Sequence, residues 1–218
     1  MRVFVSSTVV DLSAYRAAAQ QAVLETGWHP VMPPEHKSVP GGPNVVRCQE
    51  EVLSCELFLS IVGFRCGWIP TASQGGNGIA SITEIELATW LQAAQMQPRN
   101  PPLLFIAERP SQAVGESEGE LAQAVQTVFR QKIRNAGMWT HSFDFVPPDH
   151  PEHSATVKAF ALAVRGQLAN VKMEIANYSR RQAEEQVAVA QAQVAQAKSD
   201  GWVLALIALG FGYAFAKK

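Results

Sequence analysis

This sequence is poor in the residues that mark several protein classes. Its 218 residues include three cysteines, Cys48, Cys55 and Cys66. They are odd in number and lack metal-ligand spacing. That excludes a disulfide scaffold or a cysteine zinc site and fits a reducing compartment. Charged residues make up 17% and the formal net charge is −1, so no basic surface points to nucleic acid. The glycine fingerprints of dinucleotide- and phosphate-binding loops are missing. So are a nucleophile elbow and a helical pair of metal-binding histidines. His141, His150 and His153 stand near Asp149 and Glu152 without a standard metal spacing, and they read as solvated loop. The N-terminus lacks the long apolar core and cleavage site of a signal peptide.

What is present begins at residue 2. Val3-Phe4-Val5 is a β-branched and aromatic run closed by Ser6-Ser7-Thr8. That pattern predicts a buried strand feeding a loop and then a helix. Helical spacing follows over 11–26, with Gly27 as the stop. A second strand is predicted at 28–32 and a second helix at 44–54, with Asn44 as its cap. Leu57 to Gly63 is the clearest strand. A long loop, 64–80, precedes a third helix at 81–97. A fourth strand at 103–107, a fourth helix at 120–135 and a short fifth strand at 142–146 complete the series. Strands alternating with helices predict an α/β domain. Its sheet should be open and parallel, flavodoxin-like in its 2-1-3-4-5 order, with helices on both faces.

The texture changes after residue 150. Between 154 and 199 there is no proline, and the one glycine is Gly166. Val164, Leu168, Val171, Ile175 and Tyr178 recur at four and three residues, a coiled-coil-like seam. A long helix is expected, its first half packed on the domain. Its second half is either a solvated linker or a pairing surface. From 201 to 216 there is no charge, and Lys217-Lys218 closes the run. Ala208, Gly212 and Ala216 form a small-residue face, and Trp202 and Tyr213 suit membrane interfaces. The run reads as a short tail helix anchoring the chain to a membrane, with the domain on the cytoplasmic side. A buried, oligomer-forming tail is the other reading. The expected organisation is an α/β domain over 1–150, a helical stalk over 151–200 and a tail over 201–218.

Open parallel sheets bind ligands at the carboxyl ends of their strands. That edge gathers Ser6, Ser7 and Thr8, then Glu35 and His36, then Gly63, Phe64 and Arg65, then Glu108 and Arg109. The helix beginning at Ser81-Ile82-Thr83-Glu84 starts on the same edge. The three hydroxyls could hold phosphate or ribose, or simply cap the first helix. Arg65 could meet an anion and Trp68 could stack on a base, or both could serve the loop and the core edge. Glu84 has two readings as well. It fits a capping box with Ser81. It also fits a carboxylate that stabilises an oxocarbenium-like charge as an N-glycosidic bond breaks.

Val3-Phe4-Val5-Ser6-Ser7-Thr8, then Asp11-Leu12 and Tyr15-Arg16, resembles the opening of a TIR-like family, domain-of-unknown-function family 4062. Glu50-Glu51-Val52 with Cys55, Gly63-Phe64-Arg65-Cys66-Gly67-Trp68, and Ser81 to Glu86 with Ala88 extend the resemblance to about residue 108. Two positions depart from it: Glu56 stands where Asp is usual and Cys66 where Tyr is usual. The family is similar in layout to TIR domains and nucleoside deoxyribosyltransferases. In those relatives a Glu at the start of the third helix, four residues before an Ala, is catalytic. The resemblance therefore implies Glu84 as catalytic carboxylate, with Ala88 in that relation. Ser6, Ser7, Thr8, Arg65 and Trp68 would bind nucleotide. It implies no resident cofactor; NAD or a related nucleotide would be the substrate. The expected setting is prokaryotic signalling or defence. Expected partners are a second copy through the stalk or tail, membrane lipid and a nucleotide ligand. A non-catalytic oligomerisation module at the membrane is the alternative.

Overall fold

A computed structural model describes residues 1–32, 45–108 and 118–215, with side chains as far as residue 196 and at Lys198. The elements are β1 (Arg2–Ser7), α1 (Ser13–Glu25), β2 (His29–Val31), α2 (Val45–Leu53), β3 (Leu57–Val62), α3 (Ile82–Met96), β4 (Leu103–Glu108), α4 (Glu120–Asn135), β5 (Thr140–Asp144) and α5 (His153–Phe215). The five strands form one sheet in the order β2-β1-β3-β4-β5. Every pairing is parallel. The α/β, flavodoxin-like expectation holds, strand order included. Residues 33–44 and 109–117 lie outside the described residues. With them go the expected cap Asn44 and the edge residues Glu35, His36 and Arg109.

Central strands buried on both faces carry apolar residues at successive positions, and β3 is buried throughout. One face of the sheet stacks Phe4 on Phe58 and Phe58 on Trp90 of α3, with ring centroids 5.7 and 5.8 Å apart. Leu87, Phe129 and Ile133 from α3 and α4 complete this core. The other face is aromatic. Tyr15 of α1 meets Phe143 and Phe160, and Phe160 at the start of α5 meets Phe105 and Phe143. The hydrophobic effect sets the scale: each fully buried aromatic side chain contributes about 3–5 kcal/mol against truncation. α1 ends at Gly27, whose φ of +78° is left-handed. There Gly27 N donates to the Leu24 carbonyl and Trp28 N to that of Val23, the αL cap that glycine favours.

β5 begins and ends two residues earlier than the alternation predicts. Its register is set by β4, which pairs Leu104–Glu108 with Thr140–Asp144. Phe145 therefore leaves the strand and packs on Tyr15 and Phe64. His141 sits in β5 against the Phe105 ring, and burial lowers its pKa.

Met1–Ala169 form one compact unit and Asn170–Lys218 a second. α5 contributes to both. In the first unit Val164 and Leu168 of the predicted seam are fully buried. In the second, every described side chain from Tyr178 onward is exposed. The backbone is helical from 201 to 215, while the tail's side chains lie outside the described residues. Among the described residues no helix is long and apolar enough to cross a membrane.

Candidate functional site

The loops leaving β1 and β3 meet at the carboxyl edge of the sheet. Gly63 ends β3 against the start of α1. A Cβ there would stand 2.8 Å from Asp11 Oδ2 and 3.1 Å from Leu12 Cδ1. Asp11 is buried, and its Oδ1 accepts the Thr8 hydroxyl. Its Oδ2 has no hydrogen-bond partner. Burial raises the Asp11 pKa, opposed by the Thr8 hydroxyl and the charge of Arg65. Ser7 faces α1, where Arg16 Nη1 donates to its Oγ at 3.2 Å.

Ser6 points to the opposite face. It is fully buried and donates 2.6 Å to Glu86 Oε2 on α3. Glu86 is itself buried, and burial pushes its pKa up to about 7, against the pull of the Ser6 hydroxyl and the Arg16 charge. Glu84, two residues earlier, is rotated about 200° around the helix. Its backbone N–H donates 3.3 Å to Ser81 Oγ, which caps α3. Its carboxylate accepts Lys132 Nζ of α4 at 2.7 Å. The structure therefore brings Ser6 to Glu86 and Glu84 to Lys132.

Gly63-Phe64-Arg65-Cys66-Gly67-Trp68 carries the rest. The backbone N–H groups of Cys66 and Gly67 donate to Glu118, at 2.7 Å to Oε2 and 3.1 Å to Oε1. Arg65 Nε lies 3.5 Å from the same Oε1. Trp68 packs with Val45, Cys48 and Ile82 at the core edge. Its carbonyl accepts the Ile82 N–H at 2.9 Å, tying the loop to the start of α3. The Cys66 thiol is buried beside Ser81, and burial and Glu118 push its pKa up to about 11, so it is no thiolate nucleophile at neutral pH.

Beyond β3, Arg130 closes the edge. Its guanidinium donates to the carbonyls of Val62, Gly63 and Ala107 at 3.2, 2.8 and 2.6 Å. It also stacks 4.4 Å over Phe64. A cavity of about 600 Å³ lies beside it, lined by Phe64, Glu108, Arg130 and Arg134 among others. Among the described residues no acidic, histidine or cysteine cluster could hold a metal ion.

Glu86, Glu118, Lys132 and Arg130 were not evident as site residues in the sequence. Glu86 did leave a signal. Ile82, Glu86 and Trp90 recur every fourth residue, placing a carboxylate in the stripe that faces the core. Glu118 left none, because it meets Gly67 across 51 residues.

By structure the chain is similar to the TIR domains of the activated Roq1 resistosome recognising the pathogen effector XopQ. The identity is 13%, the match covers 76% of this chain and 83% of that one, and the TM-score is 0.37. A flavodoxin variant from Pseudomonas aeruginosa is 14% identical, with 76% and 99% covered and a TM-score of 0.35. No curated protein matches the sequence. The model of DUF4062, a domain of unknown function, matches residues 2–149, and the chain belongs to that family.

Proposed function

We propose that this is a TIR-like signalling or defence domain that cleaves the N-glycosidic bond of NAD or a related nucleotide. The supporting observation is convergence. The β1 exit with its hydroxyls, the β3 exit with Arg65 and the start of α3 with Glu84 share one edge at the topological switch point. There the bond between ribose C1′ and nicotinamide nitrogen breaks, and neutral nicotinamide leaves with the electron pair. The Glu84 carboxylate faces the ribosyl cation, and water adds at C1′ with loss of a proton. Lys132 must release Glu84 first. Its side chain is 64% exposed, and such pairs contribute about 0–1 kcal/mol, so release costs little. Ser7 and Thr8 are partly exposed and supply the ribose or phosphate contacts. Ser6 acts through Glu86 rather than on the ligand.

Purified protein comprising residues 1–218, crowded on liposomes, is incubated with NAD. Nicotinamide release that Glu84→Gln abolishes is expected. No release, or equal release from the variant, refutes cleavage. Tethering by the tail is part of the proposal: vesicle flotation should require residues 201–218.

A non-catalytic oligomerisation module is the second reading. One observation favours it: Glu84, Arg65 and Ser6 already hold partners within the chain. The exposed Val187, Val189 and Val194 of α5 would then pair with a second copy. A chain that stays monomeric in detergent at every concentration would count against it.

A further inference from the structure

The loop after β3 has the geometry of an anion receptor. Two successive backbone N–H groups, of Cys66 and Gly67, converge on one carboxylate. Successive amides around a left-handed residue form an anion-binding concavity. Gly67 supplies that residue, with φ +72°. A Cβ there would stand 2.9 Å from Thr8 Cγ2, so the turn is fitted against the end of β1. Arg65 adds a guanidinium 3.5 Å from the same carboxylate, its side chain 21% exposed. The carboxylate belongs to Glu118, whose side chain is 9% exposed. An acidic side chain thus fills, from within the chain, a place built for negative charge.

We infer that this concavity is a phosphate subsite and that Glu118 is its intramolecular competitor. The inference rests on the nucleotide reading above and adds the subsite and its occupant. A phosphate bearing two free oxygens can take both amides as the carboxylate does, and the guanidinium favours its charge. Both anions cannot occupy the concavity together. Apparent affinity is therefore the intrinsic affinity multiplied by the fraction of time Glu118 is away. If Glu118 is seated nine-tenths of the time, its removal tightens binding about tenfold.

The test is titration of the full chain in detergent with ADP and, separately, with inorganic pyrophosphate. Glu118→Ala should bind ADP about tenfold more tightly than the unaltered protein. Adding Arg65→Gln should reverse most of that gain. Pyrophosphate responding in the same way supports the subsite and assigns its affinity to phosphate alone. Amide resonances provide a second measurement that needs no variant: ADP should shift the Cys66 and Gly67 signals of the unaltered protein. Equal ADP affinity with and without Glu118 overturns the inference. So does ADP binding that moves Ser7 and Thr8 but leaves Cys66 and Gly67 in place; the cleft reading would survive that result. Tighter ADP binding by Glu118→Ala with no nicotinamide release keeps the subsite and refutes cleavage.

Discussion

Glu86 should make the fold less stable as pH rises, and Glu86→Gln should remove that dependence. The carboxyl is fully buried, accepts the Ser6 hydroxyl and is the only carboxylate bonded to β1's buried face among the described residues. Its pKa is pushed from an ordinary 4.5 to about 7. The native state therefore holds this proton over a range where the unfolded chain has released it. Stability from the neutral form is complete below about pH 4.5 and is lost as pH rises through about 7. Each tenfold separation is worth about 1.4 kcal/mol, so the loss is of order 3 kcal/mol between pH 4 and pH 8. Glutamine keeps the shape and an oxygen for Ser6 but cannot ionise.

Other carboxylates titrate too, so the quantity to read is the difference between the two proteins. Urea denaturation followed by tryptophan fluorescence reports the core, because Trp90 is fully buried. At pH 5 the two proteins should agree to within about 1 kcal/mol, since both present a neutral group to Ser6. At pH 8 the glutamine variant should be more stable by about 2–3 kcal/mol. A pH-independent difference, or a variant less stable at pH 8, would show that Glu86 is ionised and well paired in the native state.

Three further substitutions probe the same edge. Arg130→Met removes the donor from three buried carbonyls and should cost about 3 kcal/mol or more, seen as a lowered Tm; lysine should not rescue it, because one ammonium cannot reproduce the planar fork. Gly63→Ala drives a methyl against Asp11 Oδ2 and should cost about 1–3 kcal/mol in urea denaturation, less when Asp11→Ala has already removed the clashing oxygen. Lys132→Ala should change stability by less than about 1 kcal/mol, because its pair with Glu84 is solvent-facing at the lysine end.

The legible parts were those fixed by local pattern. Leu57 to Val62 is apolar at all but one position and needs a covered sheet. Ser81 before Ile82 marks a helix start, and its hydroxyl does accept the Glu84 N–H. β5 was displaced because Phe143 and Phe145 alternate with polar residues equally well in either frame; pairing with β4 chooses between them. At the site, proximity was legible but partnership was not. Topology placed Ser6, Arg65 and Glu84 on one edge. It could not show that Ser6 turns to Glu86, nor that Glu118 reaches Arg65 from a distant part of the chain.

Those partnerships also rank how the edge could open to a ligand. Lys132 is the outermost group, and leaving Glu84 returns a well-hydrated ammonium to water. Glu118 is harder to move: its carboxylate holds two amides and faces a guanidinium. Removing it without replacement would strand the Cys66 donor, worth about 1–3 kcal/mol, while the exposed Gly67 N–H turns to water. An incoming phosphate removes that penalty by taking the same donors, so exchange is far cheaper than vacancy. Ser6 and Glu86 lie beneath both and stay shut, since opening them would expose a carboxyl among core side chains. A neutral ligand can displace Lys132 but brings only uncharged acceptors to the amides that Glu118 leaves, and these bonds are about half as strong as charge-assisted ones. The edge should therefore favour anionic ligands over neutral nucleosides, through the cost of evicting Glu118 as much as through attraction to Arg65.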